Sequence, residues 1–125
     1  MDTVSADKIL VIEDDPVMRE LIVATLLDAG RAATASLAEA RAGAAPKLLV
    51  VDLGEPKTHG ANSLRAWRAR FPNARIVAIS GRFRFNAATA ASVARQLGAD
   101  RVLAKPLDCA ALVANVGELM GQPVQ

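Results

Sequence analysis

The sequence predicts an α/β domain in which five parallel strands alternate with five helices, doubly wound so that helices cover both faces of one sheet. Three observations predict it. Residues 9–12, 48–51 and 76–79 are continuous apolar runs, too short for buried helices and too unbroken for half-exposed strands. The stretches between them carry apolar residues at helical spacing, opened by capping residues and closed by glycine or proline. The apolar runs end at polar or charged groups, as strands do where they leave a core.

In chain order, residues 8–12 form the first strand and end at Glu13-Asp14-Asp15. Asp15 before Pro16 is a helix start, with a side-chain oxygen to cap and a proline at the first helical position. That helix runs to about Ala29, with Val17, Met18, Leu21, Ile22 and Leu26 as its apolar positions, and Gly30 stops it. Residues 31–36 predict a weak strand, and 37–42 a short helix broken by Gly43 and Pro46. The strand ending at Asp52 follows, then a loop shaped by Pro56 and Gly60. Asn62 or Ser63 caps a helix that ends before Pro72, with Leu64, Trp67 and Phe71 on one face. Residues 75–80 are the fourth strand. Asn86 caps a helix ending at Gly98, residues 101–104 are the fifth strand, and Asp108 caps a last helix to about Met120. Its buried side holds Leu112, Val113, Val116, Leu119 and Met120, and residues 122–125 are expected to fray.

A chain of 125 residues with 52% hydrophobic and 22% charged residues suits one domain, with its core at about 8–120. No apolar run approaches the roughly 20 residues that span a membrane. Residues 1–8 show no signal-peptide pattern, and Cys109 is the only cysteine, so a reducing cytoplasm is the expected compartment. His59 is the only histidine, which excludes metal sites built on several Cys or His. The net charge of +2 hides an asymmetry: residues 1–56 hold five basic and ten acidic side chains, residues 57–105 ten basic and one acidic. Scattered between apolar positions, the arginines read chiefly as solvated helix faces.

Polar groups accumulate at the carboxyl ends of the strands: Glu13 and Asp14, Asp52, Ser80 and Lys105. In a parallel sheet these ends share one edge, where ligands collect. Clustered carboxylates repel one another unless a cation joins them. An all-oxygen donor set suits Mg²⁺, which keeps waters and needs only one or two carboxylates plus phosphoryl oxygens. Lys105 supplies a compact charge for a phosphoryl oxygen and Ser80 a hydroxyl donor. The pattern fits phosphoryl transfer to a carboxylate, with Asp52 as nucleophile.

The chain resembles the receiver domain of bacterial two-component response regulators. The resemblance rests on Ile9-Leu10-Val11-Ile12-Glu13-Asp14-Asp15, on Asp52 with Pro56 and Gly60, on Ile79-Ser80-Gly81, and on Gly98-Ala99-Asp100 before Lys105-Pro106. It implies a flavodoxin-like fold with strand order 2-1-3-4-5 and helices on both faces. It also implies that Asp52 is the phosphoacceptor, that Asp14 ligates Mg²⁺ directly while Glu13 acts mostly through water, and that the Gly54 carbonyl completes the metal site. Ser80 and Lys105 match the family's hydroxyl and lysine, and the bond before Pro106 is often cis in relatives. The implied partner is a sensor histidine kinase or phosphotransfer protein, with output through an unknown downstream protein. No direct DNA binding and no membrane are expected, and a homodimer stays open. The only catalysis implied is of the chain's own phosphorylation and dephosphorylation.

The chain departs from the pattern in three places. Val102 stands where the family usually carries an aromatic switch residue. The segment between Gly30 and Asp52 is short, so the second helix should be stunted. The loop after Ser80 is long and contains Phe83 and Phe85 between Arg82 and Arg84; by bonding a phosphoryl group, Ser80 could pull this loop. A degenerate receiver that binds partners without phosphorylation is the alternative that Val102 favours. An aspartyl-phosphate phosphatase of the haloacid-dehalogenase type would want an acid where Gly54 stands, and a flavin or nucleotide binder would want a glycine-rich loop where Glu13-Asp14-Asp15 stands.

Overall fold

The computed structural model describes residues 7–53, 61–81 and 87–121. Its elements are β1 (Lys8–Ile12), α1 (Pro16–Asp28), β2 (Ala32–Thr34), α2 (Leu37–Arg41), β3 (Leu48–Asp52), α3 (Ala61–Arg70), β4 (Arg75–Ser80), α4 (Ala87–Leu97), β5 (Arg101–Ala104) and α5 (Cys109–Met120). The strands are parallel and ordered β2-β1-β3-β4-β5. That is the flavodoxin-like order the sequence resemblance implies.

Alternation along the strands sorts the core into two layers. Leu10, Leu49, Val51, Ile76 and Ala78 point to one face and pack with Ala40 of α2, Leu64 of α3 and Ala94 of α4. Ile9, Val11, Leu48, Val50, Val77 and Ile79 point to the other and pack with Ile22 and Leu26 of α1 and Leu112 and Val116 of α5. Burial on both faces is why these strands read as unbroken apolar runs.

Local chemistry sets the helix ends. The Asp15 carboxylate accepts from the Val17 N–H at 3.1 Å, and Asp108 accepts from the N–H groups of Ala110 and Ala111 at 3.0 and 3.2 Å. Gly30 (φ 85°) and Gly98 (φ 84°) take the left-handed positions just past α1 and α4. The second helix is stunted to five residues, as the short segment before Asp52 requires. Its open end is closed by the Lys8 ammonium, which donates to the carbonyls of Glu39, Ala40 and Ala42.

Three local expectations change. The second strand spans Ala32–Thr34, because the Arg31 N–H is bonded to Leu26 O behind α1 and Ser36 is the N-cap of α2. Helix α3 starts at Ala61, so Asn62 and Ser63 stand inside its first turn instead of capping it. On α1, Val17 and Leu21 are exposed by 74% and 43%, and the buried face is carried by Ile22 and Leu26 with Met18 beside them. The predicted contributions of Pro56, His59, Gly60, Phe83, Phe85 and Asn86, and the tail 122–125, fall outside the described residues.

Candidate functional site

Parallel strands bring their carboxyl ends to one edge of the sheet, and the polar residues predicted there arrive together. Glu13 follows β1, Asp52 closes β3, Ser80 closes β4 and Lys105 follows β5. Register fixes their depth: Asp52 pairs with Ile79, and Ser80 with Ala104. The Lys105 ammonium donates to Asp52 Oδ2 at 2.6 Å, and its nitrogen lies 4.0 Å from Glu13 Oε1. The Glu13 side chain is 3% exposed, that of Asp52 9% and that of Lys105 32%, so the lysine is the solvent-facing side of the group.

Backbone contacts hold the lysine in place. The Lys105 N–H donates to Ser80 O at 3.1 Å. Gly81 lies against the lysine stem: a Cβ there would make ordinary contact with the Lys105 side chain, at 3.4 Å. The peptide bond from Lys105 to Pro106 is cis, as the resemblance implies. Ser80 is fully buried on the strand beside Asp52, one register step nearer the carboxyl edge.

Glu13 is the least satisfied member of the group. Its Oε2 accepts from the Asp15 N–H at 3.1 Å, while Oε1 has no hydrogen-bond partner among the described residues. Burial, and then the neighbouring Asp52 carboxylate, push the Glu13 carboxyl up to about 7, against the pull of the Asp15 N–H and of Lys105. For Lys105, burial alone would lower the pKa. The hydrogen bond and charge of Asp52, with the charges of Glu13 and Asp15, outweigh it and hold the ammonium above its ordinary value.

Of the other predicted site residues, Asp14 is exposed beside this group, and Gly54 lies outside the described residues. Among the described residues no cluster of three or more His, Cys, Asp or Glu side chains is arranged to hold a metal. The pair that is in place, Glu13 and Asp52, still has the chemistry Mg²⁺ asks for: oxygen donors only, a buried Glu13 oxygen without a hydrogen-bond partner among the described residues, and mutual repulsion that a cation would relieve.

Two contributors were not singled out from sequence. Arg19, one turn into α1, donates to the Glu13 carbonyl at 3.2 Å and braces the acidic turn. Asp15, read only as a helix cap, also adds its charge to the field at Lys105. The available signal was their spacing, since residues 15 and 19 share one side of the first helical turn.

Comparison with known proteins agrees with this geometry. The family model described as response regulator receiver domain matches residues 9–117. No protein with curated function matches the sequence. Among solved structures, a chemotaxis protein of Vibrio cholerae is 20% identical with a TM-score of 0.71, covering 93% of this chain and 100% of that one. A response regulator protein of Burkholderia multivorans is 28% identical with a TM-score of 0.61, covering 96% of this chain and 99% of that one. A response regulator protein of Burkholderia pseudomallei, solved with a phosphorylated aspartic acid, a calcium ion and citrate, is 26% identical with a TM-score of 0.65, covering 92% of this chain and 67% of that one. Among the described residues no helix is long and apolar enough to cross a membrane.

Proposed function

Given that the chain belongs to the response regulator receiver domain family, we propose that it is a phosphorylation switch in which Asp52 accepts a phosphoryl group from a histidine kinase or phosphotransfer protein. A carboxylate oxygen of Asp52 forms the new P–O bond as the P–N bond to the partner's imidazole breaks. The Lys105 ammonium, already 2.6 Å from Asp52, moves its hydrogen bond to a phosphoryl oxygen and offsets the charge gathered there. Ser80 donates its hydroxyl to another phosphoryl oxygen. The observation that carries the reading is the buried Asp52–Lys105 pair with Glu13 against it at the carboxyl edge of the sheet. The phosphorylated aspartic acid of the Burkholderia pseudomallei relative supports it by analogy.

Glu13, Asp14 and Asp52, with the Gly54 carbonyl, would hold Mg²⁺ in this reading. When bound, Mg²⁺ neutralises charge on the carboxylates and the transferring oxygens. The chain's catalysis is confined to its own phosphorylation and dephosphorylation, it works in the cytoplasm, and its output is contact with another protein. Val102, buried to 4% exposure on β5, favours a second reading, an interaction module that does not switch. One experiment separates the two. Wild type is incubated with a small-molecule phosphodonor and Mg²⁺, and the modified residue is identified by mass spectrometry. One phosphoryl group on Asp52, lost in Asp52→Asn, is the expected result. No label on wild type, or label on another carboxylate, refutes the switch.

A further inference from the structure

Away from that edge, α3 and α4 enclose an open cleft of about 210 Å³. Arg65 and Arg68 line it from α3 and Arg95 from α4, and no carboxylate is among the lining residues. Leu97, half-buried, is its accessible apolar residue, and Leu64 is buried. The one acidic residue between positions 57 and 105 is Asp100, and it is already committed. It accepts from the Ile76 N–H at 2.8 Å and pairs with Arg68 at 3.6 Å and Arg75 at 3.9 Å. Arg68 also donates to the Gly98 carbonyl at 2.9 Å. Arg65 and Arg95 are exposed and have no ion pair among the described residues. Guanidinium groups on two facing helices repel each other, and an anion between them removes that cost.

The kind of anion follows from the walls. At the carboxyl end of α4 the Gly98 carbonyl, which accepts from Arg68, is part of the lining. Helix carboxyl ends carry partial negative charge, which disfavours a compact, multiply charged phosphate more than single carboxylates spaced along a chain. Carboxylates at Arg65 and Arg95, with an aliphatic side chain against Leu97, match the charge and polarity of the lining. Grooves between packed helices take such amphipathic segments.

We propose that this cleft docks an acidic segment of a partner protein, with carboxylates flanking an aliphatic side chain. Helix α4 ends three residues before β5 begins, so the cleft lies toward the edge of the sheet where strands start, whereas Asp52 closes β3 at the other edge. A partner seated here leaves Asp52 accessible. The docking site is therefore separate from the phosphoryl site, and the proposal does not rest on the phosphorylation reading.

The test is an NMR titration of the ¹⁵N-labelled full chain with a synthetic peptide of alternating Glu and Leu. A Gln-for-Glu version of the peptide, inorganic pyrophosphate and single-stranded oligothymidylate serve as competing probes. The acidic peptide is expected to shift the amides of 64–68 and 95–98 saturably, with affinity falling as salt rises. Arg65→Glu and Arg95→Glu should each weaken it by about tenfold. Unaltered amide spectra elsewhere in the two arginine variants show that they remain folded. No shifts in these segments, equal binding by the neutral peptide, or undiminished binding by the arginine variants overturns the proposal. So does tighter binding of pyrophosphate or the oligonucleotide, which would assign the cleft to phosphate chemistry instead.

Discussion

Replacing Glu13 by Gln should stabilise the metal-free protein at neutral and alkaline pH and do nothing at low pH. The Glu13 carboxyl is raised from 4.5 to about 7 by burial and by Asp52. A carboxyl whose folded pKa is raised contributes its stability fully below the unfolded value and loses it as pH climbs through the folded value. Keeping Glu13 ionised at pH 8 therefore costs the fold about 3 kcal/mol, taking each pKa unit as about 1.4 kcal/mol. Gln removes that cost, keeps an oxygen to accept from the Asp15 N–H, and gains an amide donor for Asp52. For a chain of this length the gain corresponds to roughly 10 °C in Tm at pH 8. The assay is thermal or urea unfolding of wild type and Glu13→Gln in chelator-treated buffer from pH 4 to pH 9. The difference should be near zero below pH 4.5, grow between 4.5 and about 7, and then level off. A difference that is flat across this range would refute the reasoning, because a packing change has no reason to follow a carboxyl titration.

Three further outcomes are expected. Mg²⁺ binding only the folded state should raise the Tm of wild type by mass action, and Asp14→Ala should remove most of that rise; a Tm unmoved by Mg²⁺ argues against the proposed ligand set. Lys8→Met should destabilise the fold by about 1–2 kcal/mol in urea unfolding, since three carbonyls behind α2 lose their charged donor. Asp108→Ala should cost about 1 kcal/mol by the same measurement, because the N–H groups of Ala110 and Ala111 lose their acceptor.

The strands were legible because burial on both faces leaves an unbroken apolar run, a pattern that needs no partner information to read. Caps were legible where the capping oxygen and the proline or helix are adjacent in sequence, as at Asp15 and Asp108. Helix facing was harder. Val17 and Leu21 each sit one residue before Met18 and Ile22, which turns them about 100° around α1 and out of the core. Spacing alone accepts both arcs; only the position of the sheet decides between them. The site shows the same division. Its residue types and strand ends could be read, since each follows a recognisable run. Which of Glu13 and Asp14 turns toward Asp52 could not be, because that depends on how the chain leaves β1 and on the brace from Arg19.

The sheet narrows toward its margins, from six residues in β4 to four in β5 at one edge and three in β2 at the other. Each free edge thus exposes few unpaired backbone groups, and a brief edge is a poor template for a foreign strand. Backbone pairing, which reads almost no sequence, is thereby denied a foothold at both edges.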